Sequence, residues 1–282
     1  MTMLVSSSNV EQRLETLVAA ASEPQLNVRV AALGALASYC GTVEKLPEIR
    51  HLELMSKTFL KSIDDHDRVS ANAVRGLGSV ICHLSSGDSS ASSQTLLITD
   101  LLLKLKKEIE SNTRGTSATA QKCLWNACAA VSRVAEKCNS SVLNSYVKYM
   151  RSISRRLVRI CKENENYKVR AAAVDAIMSF ICRGENILDS QEMRLMYSSF
   201  LDIYLSEELR SGSDRLVTSL RAVLCSLVRI LNVSEKDVGN GSVHNHKRDR
   251  LILEILSDVK KEDPSTVDSS IEKGDDDDGA IA

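Results

Sequence analysis

Proline and glycine are scarce in this chain, 3 and 12 among 282 residues, with a single tryptophan and 4% aromatic residues. So little turn chemistry argues against a β-rich fold, and an interior poor in aromatics must be built from Leu, Val, Ile and Ala. Neither sign of charge is in excess. The formal net charge is −1, so no global field favours nucleic acid or a membrane surface. Apolar runs are only a few residues long, which excludes a bilayer-spanning helix. Met1 to Asn9 has neither the apolar core of a signal peptide nor the arginine pattern of a transit peptide, so no leader is expected there.

Motifs that carry chemistry are missing as well. The eight cysteines include no C-x-x-C pair, which removes the usual support for zinc or thioredoxin-like chemistry. Most lie beside Ala, Ile or Leu, as small core residues do, and fit a reduced chain in the cytoplasm or nucleus. There is no His-Glu dipeptide, no G-x-S-x-G, no Walker loop and no G-x-G-x-x-G. His244-Asn-His246 has only Asp249 near it and no cysteine, too few ligands for a metal. The chain is expected to be no enzyme, with no cofactor, no metal and no small-molecule substrate.

What is present is a repeated phrase. Val69–Leu77 and Val169–Ile177 each begin with an aliphatic residue and place alanine four residues on, aliphatics five and eight on, and a small residue seven on. Val28–Leu36 and Cys123–Val131 follow the same pattern, and Leu216–Leu224 follows it loosely. The starting positions lie 41, 54, 46 and 47 residues apart. Offsets of four, five, seven and eight fall on one broad helical stripe, and small residues in it let a neighbouring helix approach closely.

Another helical pattern precedes each phrase: Val10 to Ala21, Leu52 to Ile63, Leu96 to Ile109, Val142 to Cys161, and Met193 to Leu205. Five helix–turn–helix pairs result, with Glu23-Pro24 breaking the first pair and Asp67 a candidate N-cap in the second. The serine-rich stretch from Ser85 to Ser93 reads as a linker. The expected organisation is a repeat solenoid over 9–233, a loop over 234–246, a capping helix over 247–260, and a disordered acidic tail over 261–282.

Paired helices at about this period suit stacked HEAT or armadillo units and not the shorter tetratricopeptide unit. The stretches Arg68–Gly78, Cys123–Cys128 and Asn166–Ala173 resemble HEAT-repeat proteins of the armadillo superfamily. Among these, they are similar to the C-terminal region of the HEAT repeat-containing protein 6 family, whose members are much longer. The resemblance covers the second to fourth pairs. It implies an all-α fold, a right-handed α-α superhelix, working as a scaffold without chemistry of its own.

One stretch stands out as a candidate binding surface. Lys148, Arg151, Arg155, Arg159 and Lys162 recur every three or four residues and line one helical face, while Val147, Met150, Leu157 and Cys161 recur on the other. Arg156 flanks them, and Lys168 and Arg170 open the following helix; residues 148–170 hold eight bases and two acids. Such a strip is either a solvated face or a dock for an acidic protein segment, with nucleic acid the alternative ligand. The acidic tail is a further, internal candidate. Asn72 and Asn126 share one phrase position, three residues after its start, beside the apolar stripe. Hydrogen bonding between repeats is expected of both amides, and Trp125 is expected to fill the core. Armadillo proteins grip peptides with an asparagine four residues after a tryptophan; here Trp125 directly precedes Asn126, so that ladder is absent.

Overall fold

A computed structural model describes residues 7–42, 48–86, 92–111, 116–183, 187–208, 214–234 and 246–262. Among the described residues there are twelve helices and no strand. They are α1 (Ser7–Ala20), α2 (Leu26–Thr42), α3 (Ile49–Ser62), α4 (Asp67–Ser86), α5 (Ser92–Ser111), α6 (Ala118–Lys137), α7 (Ser140–Ser145), α8 (Val147–Glu163), α9 (Tyr167–Cys182), α10 (Ser190–Glu208), α11 (Asp214–Leu231) and α12 (His246–Glu262).

Five pairs pack together: α1 with α2, α3 with α4, α5 with α6, α8 with α9, and α10 with α11. The second helices stack on one another in the order α2, α4, α6, α9, α11, and the first helices form a parallel row α1, α3, α5, α8, α10. The repeated phrase is the reason. Among its residues four and eight places on, Ala73, Leu77, Ala127, Val131, Ala173 and Ile177 are each at most 1% exposed. Each fully buried Leu or Val contributes about 1.5–3 kcal/mol relative to exposure. The phrase thus welds each second helix to its own first helix and to both neighbouring repeats.

Two glycines set the spacing at α4. A Cβ on Gly76 would run into the Phe59 ring of α3, and one on Gly78 would lie 2.7 Å from the Ala130 carbonyl oxygen of α6. Helix starts are fixed by local polar groups. Ser117 accepts from the Ala120 amide at 3.0 Å, and Asn166 accepts from the Lys168 amide at 3.0 Å. Asp189 and Glu192 form a reciprocal capping box, at 2.9 and 3.3 Å, that starts α10.

Local departures from the sequence reading have physical causes. The helix expected from Val142 to Cys161 is two helices, because Tyr146 leaves helical geometry at φ −112°, ψ 18° and sends its hydroxyl back to α5. There it meets Thr99 Oγ1 at 2.9 Å and donates to the Thr95 carbonyl at 3.0 Å. Asp67 lies inside the first turn of α4, and its carboxylate accepts from Thr119 Oγ1 of α6 at 2.9 Å, so it ties two repeats together. α12 packs on α11 and α10, as the first helix of a further pair would, burying Leu251, Ile252, Ile255 and Leu256. Residues 87–91, 235–245 and 263–282, which hold most of the expected linker, the loop and nearly all of the acidic tail, lie outside the described residues.

All eight cysteines are free thiols, and seven are buried. Burial pushes Cys40 and Cys82 up to about 12 and Cys123 up to about 11, so these thiols stay protonated at neutral pH and pack as small apolar groups.

Candidate interaction surface

The basic strip of α8 runs along the outer row, and packing divides it. Met150, Ile153, Leu157, Ile160 and Cys161 are at most 1% exposed, so their face is the core face. Arg151 turns towards the start of α10: its Nε donates to the Ile187 carbonyl at 2.8 Å, and its guanidinium pairs with Asp189 at 3.2 Å and Glu192 at 3.3 Å. Arg155 donates to the same Glu192 at 2.7 Å while its side chain stays 69% exposed. Arg159 lies 3.9 Å from Glu163, one turn along α8. Lys148 and Lys162 are exposed, with no carboxylate in ion-pairing range among the described residues. Lys168 sits 5.9 Å from the Tyr167 ring centroid.

Arg170 does not belong to this surface. It is 8% exposed, and its Nε donates to the Cys161 carbonyl at 2.6 Å, closing the C-terminal end of α8 onto α9. Its position in the first turn of a second helix, facing the end of its own partner, makes it a structural tie. Arg151 is held in part by similar means, so the cations that α8 presents outward are Lys148, Arg155, Arg159 and Lys162, while Lys168 belongs to the start of α9.

The inner row carries a different pattern, a ladder of side chains from each second helix to the one before it. Asn72 donates to the Val30 carbonyl at 2.9 Å, and Asn126, only 4% exposed, donates to the Ala71 carbonyl at 2.6 Å. Both amides therefore join successive repeats. Three arginines extend the ladder. Arg75 donates to the Gly34 carbonyl at 2.8 Å, Arg133 to the Ser79 hydroxyl, and Arg183 to the Ala135 carbonyl at 2.7 Å. His83 meets the Cys40 carbonyl at 2.9 Å. His83 and Arg183 both lie fourteen residues after the start of their phrase, and each reaches the carbonyl twelve residues into the preceding phrase. Sequence reading missed these rungs. Their signal was position within the repeat, and the residue types at each position differ too much to show it by eye.

Trp125 is 42% exposed and does not fill the core. The same phrase position is buried where it holds alanine, at Ala71 and Ala171, so the place takes a small side chain and the indole stands in solvent. Two open grooves of about 450 Å³ each lie along the inner row. One is lined by Ser132, Glu136, Asp175, Ser179, Cys182 and Arg183, and the other includes Arg221, Arg229, Asp258 and Lys261.

No protein-family model matches the chain, and no curated protein matches it. Solved structures do. A designed armadillo repeat protein, YIII(Dq)4CqI, superposes with a TM-score of 0.52 at 16% identity, over 86% of this chain and 99% of the other. Two engineered proteins, Northeast Structural Genomics Consortium targets OR329 and OR366, superpose with TM-scores of 0.53 at 12% and 13% identity. They cover 87% and 88% of this chain and 97% and 98% of their own. The fold is an armadillo-like solenoid.

Identity this low carries the fold alone, so chemistry rests on the residues. Among the described residues no three His, Cys, Asp or Glu side chains are grouped to hold a metal ion, and no helix is long and apolar enough to cross a membrane. His244 lies outside them. The solenoid presents two elongated polar surfaces, the outer strip and the inner ladder. Stacked repeats generate extended surface.

Proposed function

We propose that this chain is a non-enzymatic protein-binding scaffold that docks an acidic segment of a partner protein through the outward cations of α8. The observation that carries the reading is the division of the strip. Arg151 and Arg170 are engaged in holding the fold, whereas Lys148, Arg155, Arg159 and Lys162 stand on one face and remain exposed. Arginine in such a row offers bidentate contacts to carboxylates. The fold supports the scaffold reading, since binding along stacked helices is a common use of it. The short stretches quoted above support placing the chain near the HEAT repeat-containing protein 6 family, and its free cysteines support a place in the cytoplasm or nucleus.

The test is affinity capture from lysate by the wild-type chain beside a Lys148→Glu, Arg159→Glu, Lys162→Glu variant, which spares Arg151 and Arg170. Circular dichroism establishes that both are folded. Specific protein partners lost in the variant support the reading. Partners retained unchanged would move the docking surface elsewhere. Recovery of nucleic acid, with steep salt dependence and little sequence preference, would replace the protein reading with electrostatic phosphate binding.

A further inference from the structure

A second cationic feature lies one residue before the phrase. Arg68, Lys122, Lys168 and Arg215 occupy that same position in four successive copies. Because α4, α6, α9 and α11 stack in that order, the four form a row across the N-terminal ends of the second helices. All four are exposed. The position continues, one turn earlier, the stripe that carries Asn72 and Asn126, so it faces the inner side of the solenoid.

The row is only partly compensated. Arg215 lies 3.3 Å from Asp175, but Arg68, Lys122 and Lys168 have no carboxylate within ion-pairing distance among the described residues. The acids at the start of α4 are already engaged, Asp64 by Lys104 and Asp65 by Arg29, each at 2.7 Å, and Asp67 by the Thr119 hydroxyl at 2.9 Å. Cations in the first turn of a helix also oppose its macrodipole. Arg68, Lys168 and Arg215 lie in such a first turn, with Asp67 and Asp214 beside the first and last of them, and Lys122 lies one turn into α6. Beside them stand two exposed aromatics, Trp125 three residues after Lys122 and Tyr167 next to Lys168, 42% and 45% exposed.

The chain itself contains a complementary segment that starts at this rim. Asp258 pairs with Arg221, two turns into α11, which sets the C-terminal turn of α12 against the N-terminal half of α11. Residues 263–282 follow, with seven acids, four of them in the run Asp275–Asp278, and one base. Twenty extended residues reach about 70 Å. The row spans three helix spacings, about 24–30 Å. We propose that the cationic rim formed by Arg68, Lys122, Lys168 and Arg215 is a binding surface for an extended acidic polypeptide, and that residues 263–282 of the same chain are its occupant. The surface is distinct from the outer face of α8, and the inference holds whether or not a partner uses that face.

Zero-length carbodiimide cross-linking of the full chain, with mass-spectrometric mapping, tests this directly, since it joins carboxylates only to lysines in contact. In 50 mM salt the expected products join Glu272 or Asp275–Asp278 to Lys122 and Lys168, several-fold above those to Lys148 and Lys162. They should fall at least about threefold in 0.5 M salt, where screening shortens the reach of exposed charges. An Arg68→Glu, Arg215→Glu variant keeps both lysines and should show the same fall. If that variant fails to fold, the salt series on the unaltered chain still decides. Products spread over all exposed lysines, or concentrated on Lys148 and Lys162, would overturn the proposal. So would products formed only between isotopically distinct copies in a mixed sample.

Discussion

The inner helix row and the outer face of α8 use the same residue types to opposite ends. On the inner row, Arg75, Arg133 and Arg183 lie partly buried and spend their donors on main-chain carbonyls and serine hydroxyls of the preceding repeat. On α8, Arg155 and Arg159 stand largely in solvent and meet carboxylates, Glu192 and Glu163. A neutral oxygen satisfies a guanidinium's hydrogen bonds without cancelling its charge. Repeat-to-repeat ties of this kind therefore leave the arginine charge in place, while the exposed ion pairs partly cancel the strip. Charge in the sequence and charge available to a ligand are thus different quantities in this solenoid.

The sharpest way to break the inner row is steric. Gly78→Val would force a branched side chain against the Ala130 backbone, where even a Cβ sits at 2.7 Å. Overpacking of this kind costs about 3 kcal/mol or more. A large drop in the urea midpoint is expected, and an unchanged midpoint would show that α4 and α6 are not in close contact. Next comes the amide ladder. Asn126→Ala should cost about 1–2 kcal/mol as a buried hydrogen bond is lost, and Asn72→Ala, only partly buried, should cost less. Equal losses, read by urea unfolding, would mean that burial does not set the strength of the rungs.

The outer strip should respond far less. Changing Lys148, Arg159 and Lys162 together to Gln is expected to move stability by no more than about 0.5 kcal/mol, the usual range for exposed surface substitutions. A loss as large as that of Asn126→Ala would show these cations to be structural, and the contrast between the two regions would fall. The smallest effect concerns acid. Its hydrogen bond from Arg29 holds the Asp65 carboxyl below the ordinary carboxylate range, as the bond from Lys104 does for Asp64. A depressed folded-state pKa adds stability above the unfolded value, lost as pH falls through the folded one. Arg29→Met should therefore lower the urea midpoint at pH 6 and lose part of that effect in acid, the part from its bonds to the Glu23 and Pro24 carbonyls remaining. A difference that does not shrink at all as the carboxylates are titrated would exclude the ion pair as a cause.

The phrase around Val69 and Val169 made the second helices, their buried stripe and their order legible, because burial at offsets of four, five, seven and eight is a one-dimensional property of a helix. The strip of α8 was legible as a face for the same reason. What each charged residue on that face touches was not. Arg151 and Arg170 look like Arg155 in a helical projection, yet one reaches the Ile187 carbonyl, one is buried against the Cys161 carbonyl, and one remains in water. Trp125 misled for a related reason. A lone tryptophan suggests a core anchor, but its phrase position is one that buries alanine in α4 and α9 and has no room for an indole.

Periodicity by itself determined that this chain is all-helical, paired and stacked, since a repeated apolar stripe has few ways to be buried. The missing motifs also removed support for any chemistry. Only the tertiary structure decided which cations hold repeats together and which face outward, because that depends on partners some forty to fifty residues away. It also brought Arg68, Lys122, Lys168 and Arg215, far apart along the chain, into one row. Stacking turns equal positions in separate repeats into neighbours.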